Sequence, residues 1–162
     1  MQLCCTGLIS RDSLSMTQNV LLTIIEDPKG STSHVEFNTT TQQYEVVHKF
    51  PIPWPFHYGF LKDTYVPIDG DPLDIAIFSE LQTQTGQEML VRIIGALLVK
   101  DGDHKILAVC PDDSQFGKVF EYTDLSESLR VESENIFKKG GHIIERVLNA
   151  EDAMKLVERY RI

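Results

Sequence analysis

Ile68-Asp69-Gly70-Asp71-Pro72-Leu73-Asp74-Ile75 places three carboxylates within six residues and leads straight into the β-prone run Ile75-Ala76-Ile77-Phe78. Clustered anions repel one another and cost stability unless a cation or a proton relieves them. Oxygen-only ligands at close spacing suit a hard divalent cation such as Mg²⁺. Asp-Gly is also ordinary turn chemistry, so the same stretch read alone is an acidic surface turn. An EF-hand loop is the obvious rival: Asp69, Asp71 and Glu80 fit its first, third and twelfth positions. Its fifth position would be Leu73 and its obligatory glycine would be Asp74, and Pro72 and the following strand also disagree, so that reading is rejected.

Working outward from this stretch, most of the chain reads as strands. Val20 to Glu26 is apolar and β-branched, and Asp27-Pro28-Lys29-Gly30 ends it as a turn. Val35 to Phe37 and Tyr44 to Phe50 form a hairpin pattern around residues 38–42. Pro51-Ile52-Pro53-Trp54-Pro55 forbids a central strand there. Leu73 to Ser79, Met89 to Lys100 and Lys105 to Val109 follow as strands, the last two joined by the turn Asp101-Gly102-Asp103. One helix is expected from about Asp124 to Lys139, with Leu125, Leu129 and Ile136 on one face and Gly140 as its stop. A second begins after Asn149, where Asp152 three residues on makes a capping pair. Its Ala153, Leu156, Val157 and Tyr160 keep helical spacing and are core by default. Many short strands with late helices point to a small β-barrel with helices packed outside.

The chain has 162 residues, enough for one domain with a real core. Residues 1–15 read as a flexible lead-in to a single domain over 16–162, and Met16 is an alternative start. The N-terminus lacks the basic and apolar regions of a signal peptide, and no run is long enough to span a membrane. The net charge of −9 argues against sequence-independent nucleic-acid binding, which needs a basic face. Cys4, Cys5 and Cys110 have neither zinc-ligand spacing nor a disulfide framework, so a reducing cytoplasm is the simplest setting.

Asp101-Gly102-Asp103-His104-Lys105 is a second acidic turn, and two such turns at one end of a barrel would face a shared cluster of cations. Glu26 at the end of the first strand and Glu36 in the second are placed to line the same cavity. Against this stands the ordinary preference of hairpin tips for Asp and Gly.

Taken together, the chain resembles the magnesium-dependent β-barrel family of soluble inorganic pyrophosphatases. Asp69-Gly70-Asp71-Pro72-Leu73-Asp74-Ile75 matches the signature of that family. The likeness runs from about Val20 to Val109 through Ile25-Glu26, Val35-Glu36, Tyr58-Gly59-Phe60, Gly95 and Asp101 to Lys105, and resumes in the last strand and helix. The resemblance implies a mainly β (α+β) fold: a closed five-stranded barrel with two flanking helices. It implies hydrolysis of pyrophosphate to two orthophosphates with several Mg²⁺ ions, for which Mn²⁺ or another divalent cation can substitute. By position, Asp69, Asp74 and Asp103 would hold one metal and Asp74 would share a second. Asp101 and Asp103 would take a cation arriving with substrate, and Glu26 would help with another. Asp71 corresponds to the general base. Tyr58 and Lys105 match residues that touch phosphate, and Glu36 one that acts through metal-bound water. A homo-oligomer is implied, a hexamer before a dimer.

The phosphate side departs from the family. His34 stands where lysine is usual and Lys49 where arginine is usual, which removes a guanidinium fork. Trp54 replaces a tyrosine, and Ile136-Phe137-Lys138-Lys139-Gly140-Gly141 lacks a tyrosine-lysine pair and is shortened. Histidines that often sit at the hexamer interface are missing too. Two other functions therefore stay open: a divergent metal- and phosphate-binding barrel with little turnover, and a hydrolase of a larger phosphoanhydride.

Overall fold

The structure, a computed structural model, describes residues 19–162. The lead-in, Met16, Cys4 and Cys5 lie outside the described residues. In chain order the elements are β1 (Val20–Asp27), β2 (Ser33–Asn38), β3 (Gln43–Lys49), β4 (His57–Leu61), β5 (Asp74–Phe78), β6 (Glu88–Val99) and β7 (Lys105–Val109). A short 3₁₀ turn (Tyr122–Asp124), α1 (Glu127–Lys139), β8 (Ile144–Asn149) and α2 (Ala150–Arg159) follow.

Strands β1, β4, β5, β7 and β6 are neighbours in that order, and β6 returns to β1, so five strands close a barrel. Closure depends on the length of β6. Its first residues, Glu88 to Arg92, pair with β1, its middle with β7, and Gly95 to Val99 also with β8, which lies outside the ring. Only β5 and β7 run parallel. The β2–β3 hairpin forms a separate two-stranded sheet.

Both faces of the barrel wall are buried, which explains near-continuous apolar runs in place of alternation. Ile75 and Ile77 of β5 belong to one cluster with Ile106, Ala108 and the Ala153, Leu156 and Val157 of α2. Ala76 and Phe78 belong to the other, with Leu107, Val109, Phe56, Tyr122 and Phe137 of α1. The helices are capped as their sequence suggests: Ser126 Oγ accepts from Leu129 N, and Asn149 Oδ1 accepts from Asp152 N. Helix α1 starts later than Asp124, because Tyr122 to Asp124 forms the 3₁₀ turn instead.

Two strands escape the periodicity argument. Strand β4 follows three prolines and carries Gly59 at its centre, and β8 is mostly exposed and polar on an outer edge. Both are fixed by partners distant in sequence. Gly59 is required by close approach, since a Cβ there would lie 2.0 Å from the Ile24 carbonyl oxygen of β1. On the far side of β5, buried Asp113 clasps the loop after the strand. Its Oδ2 accepts from Ser79 Oγ at 2.8 Å and Glu80 N at 2.6 Å, and its Oδ1 from Gln115 N and Phe116 N. Burial alone would raise this carboxyl, but the four donors outweigh it and hold it at about 2.

Gly59→Ala should force β1 and β4 apart and destabilise the fold by more than about 3 kcal/mol. Denaturant unfolding followed by circular dichroism checks this; a loss under about 1 kcal/mol would show that the β1–β4 contact yields.

Candidate active site

Four strands bring their polar residues to one end of the barrel. β1 ends at Glu26 and Asp27, β5 begins at Asp74, β7 begins at Lys105, and β4 supplies Tyr58. Parallel pairing sets Asp74 directly beside Lys105. The turn before β5 is closed by Gly70 N donating to Val66 O and by Val66 N donating to Asp71 O, both at 2.8 Å. Gly70 sits at φ +77°, which favours glycine. The second acidic turn touches the first, with Ile68 packed about Gly102. Asp69 and Asp103 thereby share one cleft of about 1050 Å³.

Lys105 is the centre of charge. Its ammonium is 2% exposed and lies 2.6 Å from Asp74 Oδ2 and 2.8 Å from Asp103 Oδ1. Tyr58 donates its hydroxyl to the same Asp74 oxygen at 2.8 Å. Burial pulls the lysine down, but the two carboxylates outweigh it and hold its pKa above the usual range. Burial in turn raises Asp74, and Lys105 offsets only part of that. Asp69 is raised by burial and by Asp103. Among the described residues no cation pairs with Glu26: burial, then Asp74, Asp27 and Glu36, push it up to about 8 although His34 opposes them.

His34 occupies the position where lysine was expected, and carboxylates surround it. Its Nδ1 lies 2.6 Å from Oδ2 of fully buried Asp27, and its Nε2 lies 3.4 Å from Glu36 Oε1. Asp27 is fixed in turn by Val35 N on its other oxygen. Burial lowers the imidazole pKa, and the Asp27 hydrogen bond and neighbouring carboxylates more than reverse this.

Asp69, Asp71, Asp74, Asp103, Glu26, Glu36, His34, Tyr58 and Lys105 all line the cleft. Two expected residues do not. Lys49 faces the other way, because it pairs with Ser33 while His48 pairs with His34 on the cleft side of the hairpin. Asp101 stays at the rim, where its Oδ1 accepts from Asp103 N at 3.0 Å and its Oδ2 lies 3.8 Å from His142 Nδ1. His48, His142 and Asp27 were missed. Strand alternation could have flagged His48 once His34 was singled out; nothing local marks the other two.

The donor set fits divalent cations. Six carboxylates line the cleft against two ammonium groups, those of Lys105 and Lys139, and burial with neighbouring carboxylates raises the pKa values of Glu26, Asp69 and Asp74, a cost that a cation would relieve. Among the described residues no three ligands are already drawn to one point, since Lys105 holds Asp74 and Asp103.

Fold and cleft together define a closed β-barrel with an acidic, cation-fitting cleft at one end. The profile of the family described as inorganic pyrophosphatase matches residues 23–161, so the chain belongs to that family, and its enzyme class is inorganic diphosphatase. The inorganic pyrophosphatase of Leifsonia xyli is 33% identical over 121 residues, 72% of this chain and 74% of that protein. That of Campylobacter jejuni is 31% identical over 137 residues, 80% and 79% of the two chains. The crystal structure of inorganic pyrophosphatase from Ehrlichia chaffeensis superposes with a TM-score of 0.79 at 26% identity, covering 88% of this chain and 93% of that one.

Glu26 should make stability pH-dependent in EDTA. Its folded pKa is raised from 4.5 to about 8, so the native state binds the extra proton and stability falls as pH rises across that window. The limiting slope is about 1.4 kcal/mol per pH unit. Glu26→Gln should flatten the slope, and Mg²⁺ should restore stability most at the alkaline end, where the carboxylate is ionised. Thermal melts across the window check this; an unchanged slope in the variant would remove Glu26 as its source. Separately, Lys105→Gln should cost about 2–4 kcal/mol in EDTA, discounted for partly exposed partners, because it leaves two carboxylates facing each other. Denaturant titration reads it, and a variant as stable as the parent would contradict the central role of the ammonium.

Proposed function

We propose that this protein hydrolyses inorganic pyrophosphate to two orthophosphates with Mg²⁺, using Asp71 as the general base. The observation that carries this reading is the convergence of Asp69, Asp71, Asp74, Asp103 and Glu26 on one cleft whose central ammonium is already shared by two of them. Asp69, Asp74 and Asp103 would hold one cation and Asp74 would share a second. Asp101 and Asp103 would receive one with the substrate, and Glu26 would serve another. Bound Mg²⁺ supplies a water of lowered pKa and neutralises a highly anionic substrate; Mn²⁺ can replace it.

The protein groups then have separate tasks. Asp71, exposed at the cleft mouth, accepts the proton of the attacking water. The water oxygen bonds to one phosphorus while the bond from that phosphorus to the bridging oxygen breaks. The bridging oxygen keeps the electron pair and leaves as part of the second orthophosphate. Lys105 and Tyr58 both fix Asp74 through its Oδ2, and Lys105, with a third N–H to spare, presents a donor to phosphate. His34 keeps one positive charge where the substrate phosphate would sit, and Glu36 works through ordered water. The same reading places the working protein in the cytoplasm as a homo-oligomer, a hexamer before a dimer, acting on pyrophosphate and not on nucleic acid.

Orthophosphate release from pyrophosphate with excess Mg²⁺, set against an EDTA blank, tests the proposal. Asp71→Asn should lower kcat by about 10²–10⁴ while the fold is unchanged by circular dichroism. Full activity in that variant would remove Asp71 as the base. Folded protein that binds Mg²⁺ and phosphate calorimetrically but releases no product would favour the binding barrel.

A further inference from the structure

A second cavity, of about 350 Å³, opens between the outer strand β8 and helix α2. It shares no lining residue with the acidic cleft. On the strand side, Leu98 of β6 pairs with Arg146 of β8, and Leu148 lies two residues farther on the same face. On the helix side, Asp152, Lys155, Leu156 and Arg159 follow one another at helical spacing and form one face of α2. His104 completes the lining. It stands in the chain between Asp103 and Lys105, which line the acidic cleft, so one turn serves both cavities.

The charge of this cavity is opposite to that of the cleft. In a chain of net charge −9, it gathers Arg146, Lys155 and Arg159 against the single carboxylate of Asp152. Lys155 is already engaged, 3.3 Å from Asp152 Oδ1 and 3.4 Å from Glu151 Oε1. Among the described residues, Arg146 and Arg159 pair with no carboxylate, unlike Arg161, which meets Glu158 at 3.0 Å. The charge of Arg159 also bears on His104, so the two are neighbours. His104 Nδ1 accepts from Val99 N at 2.9 Å, which leaves its Nε2–H as the donor it can offer. Two guanidinium forks and an imidazole N–H around one hollow suit a compact oxyanion, since the fork grips phosphate through two parallel bonds. Leu148 and Leu156 add a buried apolar floor. The volume falls at the lower end of ligand cavities, which run roughly 300–1,000 Å³, and leaves room beside a phosphate.

We infer that this outer cavity binds a phosphate dianion, free or carried by a small organic group, held by Arg146, Arg159 and His104. The site is separate from the acidic cleft and does not depend on what the cleft hydrolyses. Two unpaired guanidinium groups facing one hollow repel each other, and a dianion between them offsets that repulsion. Both arginines stay exposed, so solvent weakens each contact and affinity depends on the two acting together. The leucine floor meets whatever group the phosphate carries. Because His104 lies between Asp103 and Lys105, the bound anion rests against the turn that shapes the acidic cleft.

Calorimetric titration of the full chain, stripped of metal and freed of chelator, tests this with orthophosphate and phenyl phosphate as probes. The pH is held at about 8, where phosphate is a dianion. Without metal the cleft carboxylates repel both probes, so the cleft does not compete. The expected result is one saturable site per chain, weakened at least about tenfold in Arg146→Gln/Arg159→Gln and by less in each single variant. Lys118→Gln/Lys138→Gln removes the same charge from exposed lysines that line neither cavity, and should bind as the parent does. Tighter binding of phenyl phosphate than of orthophosphate assigns the site to a phosphate ester that uses the leucine floor. Orthophosphate binding at least as tightly assigns it to free phosphate. No saturable binding by the folded parent, or undiminished binding by the arginine variants, overturns the inference. Equal weakening by the lysine pair also overturns it, because net charge and not this cavity would then hold the probe.

Discussion

The shared ammonium of Lys105 is the constraint on which the site depends. Asp74 and Asp103 arrive from different places, one at the start of β5 and the other in the turn before β7, and parallel pairing sets them about a single cation. Removing the lysine's partners would strand a buried charge, and removing the lysine would set two carboxylates against each other. Burial, with neighbouring carboxylates adding to it, raises Glu26, Asp69 and Asp74, and a divalent cation in the cleft would relieve that cost. Stability and function thus pull in opposite directions at this end of the barrel, as is common where like charges are held together for chemistry.

What holds these charges in place is apolar. Carboxylates can be held this close only if the strands that carry them cannot part. β6 supplies that rigidity by serving β1, β7 and β8 along its length, and Gly59 lets β4 lie against the Ile24 carbonyl of β1. Asp113 performs a related task behind β5, where four donors tie the loop after the strand to the loop after β7. Neither group enters the cleft, yet both fix where Asp74 and Lys105 stand.

Much of this was legible in the sequence. The Asp69 to Ile75 stretch carried the acidic turn, the strand after it and the family together, because its residue types, spacing and following β-branched run all agree. Helix α2 was legible from its Asn149 cap and its apolar spacing. What stayed hidden was whatever depends on partners far away. β4 and β8 lack a clean period, since one is broken by Gly59 and the other is exposed on an edge. The pairing of the hairpin decided that His48, and not Lys49, faces the cleft. Asp27 looked like the first residue of a turn and proved to be the buried anchor of His34.

His34 shows how the cleft tolerates substitution. A histidine in place of lysine would ordinarily be half neutral near pH 7, and its loss of charge would weaken the hold on an anion. Here Asp27, Glu26 and Glu36 surround it and raise its pKa against the cost of burial. These carboxylates favour the charged imidazole, but its reach is shorter, for an imidazole anchored on Asp27 cannot extend as a lysine does. Where the family's phosphate-gripping pair was expected, Phe137 instead packs against Phe56 at 5.6 Å and lies beneath Lys105 at 6.0 Å. The Phe137 side chain thus backs the ammonium and extends the aromatic wall of the cleft.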